Sequence, residues 1–519
     1  MAVSDKNAVA SSKSTCEVIE VVVCDWLKRE ASLEIDAVDY DAPLFDLGID
    51  SLGAASIAAE LEVTFQKTLK PEVVYELETI RELADYLDSL PKSTVRAAGG
   101  VASMPAASPL APSDEPEEPA PSSGYNPIDH YARLNRKVNT LKEQGLYLFE
   151  PEISSHEGAW VQCEGHRMLM LASYEYLGLL GNEALNRAAE EALKQYGTGH
   201  HGSRLLTGTT SLHRKLESRL AKLMDAEDAI VFSSGYVANL ATISALVGPG
   251  DYVIGDSMNH ASIIDGCQMS GAEFSEFKHN DMSELAGRLE QCGRRRTLVI
   301  VDAIFSMEGD IINLPAVVEL CKKHNALLMV DEAHSLGVLG KTGCGIQEHF
   351  GLAPSDIHIK MGTLSKSLAG SGGFVAGEGQ IITYLRHHAR GYIFSGALPA
   401  VYANVSLAAL DVMQREPQRV TKIWENLKYY LAGLKRLGFD TGTCETPIVP
   451  IMTRTNEPTI AMTKLCRDEG LLVAPVVFPA VPMDAPRLRT CITAIHEHSD
   501  IDFALDVLAR AGRQCGIIS

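Results

Sequence analysis

The chain has 519 residues, of which 46% are hydrophobic and 22% charged, and its mean hydropathy lies near zero, as is typical of roughly two to four folding units. It has neither the run of roughly 18 to 20 apolar residues that a membrane-spanning helix needs nor a signal-peptide pattern, so we expect a cytoplasmic protein without a membrane span. The net charge of −21 disfavours nucleic-acid binding, and eleven cysteines without CxxC pairs argue against zinc ribbons and a secreted disulfide scaffold, so no metal site is expected.

The first 90 residues form an acidic segment with helical patterning. They contain 19 acidic and 7 basic side chains, so this segment carries −12 of the total charge of −21. Apolar residues recur at helix spacing in 18–27, 51–65 and 80–87. The sequence therefore predicts a small all-α domain over residues 1–90.

Ser51 stands at the predicted start of the second helix, within 44-LFDLGIDSLGAASIAAELE-62. Serine is a preferred helix-capping residue, so the local pattern alone leaves a capping role and a functional role equally open. The whole segment 16–90 resembles an acyl carrier protein of polyketide-synthase type. The resemblance implies that Ser51 carries 4′-phosphopantetheine, with a phosphopantetheinyl transferase and an acyl-loading enzyme as partners. It also implies that the acidic surface docks onto basic patches of partner enzymes.

Residues 91–124 have the composition of a linker. Ala, Pro, Ser and Gly occupy 23 of the 34 positions, so the segment offers little that could pack into a core. Such a Pro-rich, charged segment is extended and semi-stiff. We place the domain boundary there, between the domain at 1–90 and a larger body at 125–519.

The larger body alternates short apolar runs with amphipathic helices. The predicted strands are 229–232, 252–255, 297–301, 326–330 and 357–360, and the predicted helices include 184–196 and 315–324. This alternation is typical of a mainly parallel α/β sheet.

Three short motifs look like nucleotide-binding signatures but lack the required context. The run 197-GTGHHG-202 fits GxGxxG, yet it follows a predicted helix rather than a strand. The motifs 331-DEAH-334 and 340-GKT-342 stand in the wrong order for a nucleoside triphosphatase, and Ser335 replaces the first glycine of a phosphate loop. We therefore reject both kinds of nucleotide site.

Lys366 and Asp331 both follow predicted strands and so fall at the carboxyl edge of the sheet, where ligands bind in open α/β folds. A lone lysine is usually solvated surface. Lys366, however, lies in a Gly- and Ser-rich loop, where a desolvated amine can form a Schiff base. Asp331 ends its strand, and His334 follows one helical turn later. A pyridoxal 5′-phosphate (PLP) site needs such a lysine, together with a carboxylate for the pyridine nitrogen.

Residues from about 126 to 515 resemble an α-oxoamine synthase of the PLP-dependent fold-type I superfamily. The matching segments, in chain order, are 202-GSRLLTGTTSLHRKLE-217, 233-SSGYVAN-239, 259-NHASIIDG-266, 305-FSMEGD-310, 331-DEAHSLGVLG-340, 363-TLSK-366, 393-IFSGALP-399 and 487-RLR-489. The resemblance implies a large, mainly parallel α/β domain at about 166–399. It also implies a smaller α+β domain built from about 125–165 and 400–519.

The resemblance assigns roles around the cofactor ring, position by position. Lys366 would form the Schiff base with the PLP aldehyde, and Asp331 would pair with the pyridine nitrogen. His334 would bond the phenolic oxygen, and His260 would stack on the ring face. Ser306 would lie near the ring oxygen, although it could also serve only to stabilise a turn.

Further roles concern the phosphate and the substrate. The backbone of Gly235 and Tyr236, with Thr363, would hold the phosphate. Ser395 would reach the same phosphate from the partner subunit, which implies a homodimer with shared active sites. Arg489 would bind the carboxylate of the amino acid as a bidentate fork.

The implied reaction is a decarboxylative condensation of an amino acid with an acyl thioester, giving an α-amino ketone, with Lys366 moving protons. Fusion to a carrier suggests that the acyl chain arrives on the arm of Ser51, because tethering raises its effective concentration. Three alternatives remain open. They are a coenzyme A-dependent synthase whose carrier serves only for hand-off or docking, a non-catalytic carrier scaffold, and an aminotransferase.

Glu175 departs from the family pattern. In 173-SYEYLG-178 it stands where the resemblance leads us to expect an asparagine that helps Arg489 hold the substrate carboxylate. Two carboxylates in a partly desolvated site repel each other. We expect Glu175 to be protonated by burial, to pair with a cation, or to recognise an amine or hydroxyl of an unusual amino acid. The third option makes Glu175 a determinant of amino-acid choice.

Overall fold

The structure, a computed structural model, describes residues 14–30, 38–40, 79–89, 135–477, 480–482 and 485–519, together with 57, 61, 64–65, 67, 77 and 128. The chain divides into two compact units, residues 1–140 and 141–519. Ser51 and the predicted linker at 91–124 lie outside the described residues. No helix among the described residues is long and apolar enough to cross a membrane.

The first unit contains the described helices α1 (Thr15–Glu30) and α2 (Ile80–Ser89), which match the first and third predicted helices. Their apolar faces form one core, because Val23 and Leu27 of α1 cluster with Leu83 of α2, all fully buried. The periodic spacing that predicted these helices is thus the spacing of the residues that they bury.

The second unit contains the other described elements. Strands β1–β14 are Ile153–Glu157, Trp160–Cys163, His166–Met170, Asp228–Phe232, Tyr252–Asp256, Glu273–Phe277, Thr297–Asp302, Leu327–Asp331, Ile359–Thr363, Gly373–Gly377, Ile448–Met452, Leu471–Leu472, Ala474–Val476 and Arg487–Cys491. Helices α3–α16 are Arg136–Glu143, which begins at the end of the first unit, then Glu183–Tyr196, Ser211–Leu223, Gly235–Leu246, Ala261–Ser270, Met282–Cys292, Leu314–His324, Ile346–Phe350, Gly379–His388, Arg390–Ile393, Ala400–Arg415, Gln418–Leu437, Asn456–Asp468 and His498–Gln514.

A seven-stranded sheet forms the centre of this unit, in the order β4-β10-β9-β8-β7-β5-β6. Strands β6, β5, β7, β8 and β9 run parallel. Alternate residues of β7 enter different cores: Val299 and Val301 pack on one face, and Leu298 and Ile300 on the other, all fully buried. A continuous apolar run is therefore required here, and the predicted mainly parallel sheet is confirmed.

Strands β6 and β10 escape the sequence prediction. Strand β6 lies at an edge of the sheet, and its side chains are partly polar and partly exposed. Strand β10 begins and ends with glycine and runs antiparallel to both β4 and β9. A Cβ atom on Gly362 of β9 would come within 2.5 Å of the Phe374 ring, so this close strand pair needs a glycine. Strand β9 also begins two residues later than predicted and ends at Thr363, which lies at the edge of the site described below.

A smaller core joins the two ends of the second unit. Strand β12 pairs in parallel with β3, so that Leu471 lies opposite Leu169, and β11, β14 and β13 form a separate antiparallel sheet. Helices α14 and α16 cover this core through Tyr430 and Leu508. Helix α13 begins at residue 400, where the small domain was expected to resume, but it packs into the larger core.

Candidate active site

A cavity of about 380 Å³ opens at the carboxyl edge of the central sheet. The ends of β7, β8 and β9 meet there, because parallel strands present their carboxyl ends at one edge. Nine residues predicted from the sequence line this cavity, namely Gly235, Tyr236, His260, Ser306, Asp331, His334, Thr363, Lys366 and Arg489. Ser395 and Glu175 do not line it.

Lys366 lies in the loop that follows β9, and its Nζ atom is 5.8 Å from the centre of the Tyr174 ring. Burial lowers the pKa of Lys366 to about 8, against the opposing charge of Asp331. Roughly a tenth of the amine is thus neutral at pH 7, far more than at the ordinary pKa of a lysine. A neutral amine is the form that attacks an aldehyde.

Asp331 ends β8 as a buried carboxylate with fixed orientation. Its Oδ2 atom accepts a hydrogen bond of 2.8 Å from Asn239 Nδ2, and its Oδ1 atom accepts one of 2.8 Å from the backbone of Ala333. Asp331 forms no ion pair with any other described residue. A buried carboxylate held in this way fits a cationic N–H group of a ligand, as the protonated pyridine ring of PLP presents.

A hydrogen-bonded chain links His260 to Asp331. His260 Nδ1 lies 2.8 Å from Ser262 Oγ, which accepts a bond of 2.9 Å from Asn239, the amide that also binds Asp331. His260 is the capping residue of α7, so its ring position is set by the helix start. Burial lowers the pKa of His260, although the charge of Asp331 opposes this effect, so the ring is neutral and suited to stack on a heterocycle.

Asp302, at the end of β7, is a second buried carboxyl group in the cavity. Its Oδ2 atom accepts a hydrogen bond of 2.9 Å from the backbone N–H of His260. Burial, reinforced by the nearby charge of Asp331, raises the pKa of Asp302 well above its ordinary value.

The N-terminus of α6 forms the part of the cavity predicted to hold phosphate. Ser234 caps this helix by accepting a hydrogen bond of 3.1 Å from Val237 N–H. A Cβ atom on Gly235 would lie 3.3 Å from Thr363 Oγ1, so glycine allows the helix start and the end of β9 to approach closely. Backbone N–H groups, a helix dipole and a hydroxyl fit a phosphate group. Ser395 is half-buried outside the cavity of its own chain, and its predicted action across a dimer stays a prediction.

Arg489 reaches the cavity from β14 and is fixed by the loop at residues 305–310. Its Nε atom donates a hydrogen bond of 2.8 Å to the carbonyl of Ser306. Arg487 donates to the carbonyl of Met307 and forms a 3.0 Å ion pair with Glu308. Both arginines thus bind the same loop from the small-domain sheet.

The same loop is anchored to the central sheet by His279. The His279 ring bonds Asp256 through Nδ1 at 3.0 Å and Asp310 through Nε2 at 2.8 Å, and it packs edge-on against Phe305. Burial opposes protonation, but the two carboxylates prevail and raise the pKa of His279 to about 10. The loop therefore rests on a charged imidazole held between two carboxylates.

A second, mainly apolar cavity of about 520 Å³ adjoins the first and shares Tyr174 and Ser365 with it. Its lining includes Leu148, Val161, Met170, Leu472, Val473, Pro475 and Ile495. Glu175 lines this cavity rather than the first, and its Oε2 atom accepts a bond of 2.8 Å from Leu180 N–H. Its proposed role in amino-acid choice stays a prediction.

Glu175→Gln is expected to change how stability depends on pH. Burial raises the pKa of Glu175 to about 7, so the folded protein retains a proton that the unfolded chain loses at lower pH. The contribution of this group to stability is complete below about pH 4.5 and is lost as pH rises through about 7, by at most about 3 kcal/mol. Glutamine keeps an acceptor for Leu180 and carries no charge. The melting temperature of the variant minus that of wild type should therefore be larger at pH 8 than at pH 5.

The matched control for this prediction is Glu157→Gln, at an exposed position on β1. The melting temperature of Glu157→Gln minus that of wild type should be the same at pH 5 and at pH 8. Equal pH profiles for Glu175→Gln and wild type would show that the Glu175 carboxyl is ionised without cost in the fold.

Sequence reasoning missed Asn239, Ser262 and Asp302. Asp302 carries the same signal as Asp331, a carboxylate directly after an apolar strand, and could have been found by it. Asn239 and Ser262 lie inside the quoted motifs, but nothing local marks their contact with Asp331. Among the described residues, no group of three or more His, Cys, Asp or Glu side chains could hold a metal ion.

The chain is similar to known proteins along both of its parts. Residues 166–508 match the family described as aminotransferase class I and II, and residues 17–87 match the phosphopantetheine attachment site family. A serine palmitoyltransferase of Sphingobacterium spiritivorum is 43% identical, covering 74% of this chain and 96% of that protein. An 8-amino-7-oxononanoate synthase of Thermosipho melanesiensis is 40% identical, covering 75% and 99%. A solved structure of an S. paucimobilis serine palmitoyltransferase variant, with a bound aldimine of PLP and myriocin, is 34% identical and covers 76% of this chain and 100% of that chain, with a TM-score of 0.73.

Proposed function

Because the chain belongs to the aminotransferase class I and II family, as an α-oxoamine synthase joined to a phosphopantetheine attachment domain, we propose that it takes its acyl substrate from its own carrier. The enzyme is a PLP-dependent acyltransferase that condenses an amino acid with an acyl thioester. The observation that carries the proposal is the pairing of a carrier, at residues 17–87, with an apolar cavity beside the candidate cofactor cavity in the same chain.

The overall reaction fixes what the site has to do. A bond forms between the amino acid Cα and the acyl carbon, the thioester C–S bond breaks, and the thiol leaves with a proton. The carboxylate leaves as CO2 and one proton is taken up overall, so the products are an α-amino ketone, CO2 and the free thiol. PLP, when bound, supplies an aldehyde that captures the amino group and a protonated ring that accepts the electrons released at Cα.

The residues of the first cavity would share this work. Asp331 would hold the ring nitrogen in its protonated form, and His260 would cover the ring face. Lys366, whose pKa is near 8, would remove and return protons at Cα through Nζ. Arg489, fixed by Ser306, would hold the substrate carboxylate.

The contacts of the cofactor with the phosphate-binding residues and with a second copy are also proposed. The helix start at Gly235 and Tyr236, with Thr363, would bind the phosphate, and Ser395 of the partner subunit would complete the site. This arrangement requires a homodimer.

The second cavity would receive the acyl chain. Its lining is mainly apolar and its volume lies within the range typical of ligand pockets. The wall of Tyr174 and Ser365 that it shares with the first cavity would bring the thioester end of a bound chain next to the loop that carries Lys366. A tethered acyl group also reaches a high effective concentration, of millimolar order for a short flexible tether. The cavity suits an acyl chain from either donor, and the tether favours delivery by the carrier.

The direct test is mass spectrometry of the intact protein. The protein is incubated with a phosphopantetheinyl transferase, an acyl donor and a panel of amino acids. The proposal predicts an arm on the protein, an acyl increment on that arm, and loss of the increment with release of amino ketone when the correct amino acid is added. If the acyl group stays on the arm while only free acyl coenzyme A is consumed, the carrier serves for hand-off or docking.

Ala172→Phe is expected to shorten the acyl chain that the enzyme accepts. Ala172 lines the second cavity, so a phenyl ring would occupy space that a long chain needs. The ratio of kcat/KM for a long-chain thioester to that for a butanoyl thioester should fall roughly tenfold or more. The butanoyl substrate and the affinity for PLP serve as internal controls and should change little. An unchanged ratio would place the acyl chain outside this cavity.

A further inference from the structure

Tyr176 is a fully buried side chain with no role in the proposed reaction. It lies in the segment between β3 and α4, and its backbone carbonyl accepts a hydrogen bond of 2.8 Å from Ala494 N–H. Its hydroxyl lies 2.7 Å from Nδ1 of His334, and the guanidinium of Arg489 interacts with the same hydroxyl. The hydroxyl therefore stands between the residue expected to bind the cofactor oxygen and the residue expected to bind the substrate carboxylate.

The chemistry of these three groups fixes the direction of the bond. A guanidinium only donates hydrogen bonds and carries a positive charge, so it attracts the oxygen of Tyr176 and turns the hydroxyl proton away. The proton then points at His334 Nδ1, which must be unprotonated in order to accept it. The remaining proton of a neutral imidazole is consequently on Nε2.

The opposite arrangement is unfavourable. If Nδ1 donated to Tyr176, the hydroxyl proton would have no other acceptor among the described residues. A buried donor without an acceptor loses the hydrogen bonds that it makes with water in the unfolded chain and gains none in return. Burial, together with the charge of Lys366, also lowers the pKa of His334 well below its ordinary value, so protonation of both nitrogens does not compete.

We propose that Tyr176 is a positioning residue that holds His334 in the tautomer with the proton on Nε2, so that His334 presents a donor to the cavity. His334 lines the cavity, and Nε2 bonds no described residue. A donor at this position suits an anionic phenolate oxygen such as the one on the PLP ring. The inference deepens the proposed function and rests on its cofactor site.

The tautomer is read directly by NMR of the full-length, cofactor-free protein labelled with ¹⁵N-histidine. Long-range proton–nitrogen spectra distinguish the two tautomers, and His334→Gln assigns the signal. Wild type should show His334 with the proton on Nε2. Tyr176→Phe, which removes only the hydroxyl, should shift His334 to a mixture of tautomers.

A second measurement is the dissociation constant for PLP in a double-mutant cycle. Tyr176→Phe should raise it about tenfold, and His334→Gln by a similar or larger factor, whereas the double variant should lose no more than His334→Gln alone. This non-additivity separates action through His334 from a general loss of stability.

Tyr430→Phe is the matched control. Tyr430 is also fully buried, and its hydroxyl donates to Thr490 Oγ1 at 3.2 Å, away from His334. This variant should change neither the tautomer nor PLP binding. The inference is overturned if Tyr176→Phe leaves the His334 spectrum unchanged, or if the two substitutions add fully in the cycle. A tautomer result as expected, in a protein that fails to bind PLP at all, would contradict the cofactor site and not the role of Tyr176.

Discussion

Lys366→Ala is expected to abolish covalent attachment of PLP and to lower turnover by on the order of 10³-fold or more. Lys366 is the lysine of the candidate cavity, and burial brings its pKa to about 8, so it supplies the neutral amine that attachment requires. Alanine removes both this amine and the group proposed to move protons at Cα. Borohydride reduction followed by peptide mass mapping should locate the cofactor on Lys366 in wild type and find none in the variant.

The matched control is Lys341→Ala, an exposed lysine in the segment that follows the Asp331 motif. It should keep wild-type absorbance, trapping and turnover. Trapping of PLP on another lysine in the Lys366→Ala protein, with activity retained, would refute the assignment of this site.

Ser51→Ala is expected to remove the phosphopantetheine arm and, with it, all turnover of acyl groups loaded on the protein itself. The hydroxyl of Ser51 is the predicted attachment point, and alanine offers no atom for the phosphodiester. Affinity for PLP should not change, because residues 166–508 contain every residue proposed to bind it. Intact-mass spectrometry after incubation with a phosphopantetheinyl transferase measures the arm, and product analysis measures turnover.

Ser89→Ala, on α2 of the same unit, should keep both the arm and the turnover. The same pair of variants is then assayed with free acyl coenzyme A at high concentration. Restored turnover in Ser51→Ala under these conditions would mean that the arm raises the local substrate concentration and is not needed for chemistry. Equal turnover of Ser51→Ala and Ser89→Ala at a low concentration of free acyl coenzyme A would favour the coenzyme A-dependent alternative.

The inner strands of the central sheet could be predicted because they are buried on both faces. A run such as 297–301 has to be apolar at every position when neighbouring residues enter different cores, and this produces a signal that local reasoning detects. Strand β10 gave no such signal. Its five residues include glycines at both ends, and its position depends on pairing with β4, which lies far away in sequence, as well as with β9, which precedes it in the chain.

The candidate site was predictable to the extent that its residues follow strands or lie in motifs. Lys366 and Asp331 met both conditions, and the structure brings them into one cavity. The contact of Asn239 with Asp331 joins residues 92 positions apart, and that of Tyr176 with His334 joins residues 158 apart. Hydrogen bonds across such separations leave no periodic trace, so they become visible only in three dimensions.

The loop at 305–310 has a mechanical consequence. Its backbone is held by arginines of β14, its Asp310 side chain by His279, and Gly309 packs so closely on Ile448 that a Cβ atom would lie 2.0 Å from the Ile448 carbonyl oxygen. These contacts join the central sheet to the three-stranded sheet of β11, β14 and β13 at this loop. Because separate contacts join this loop to both sheets, we expect the position of Arg489 relative to the carboxyl edge of the central sheet to be fixed before any substrate binds.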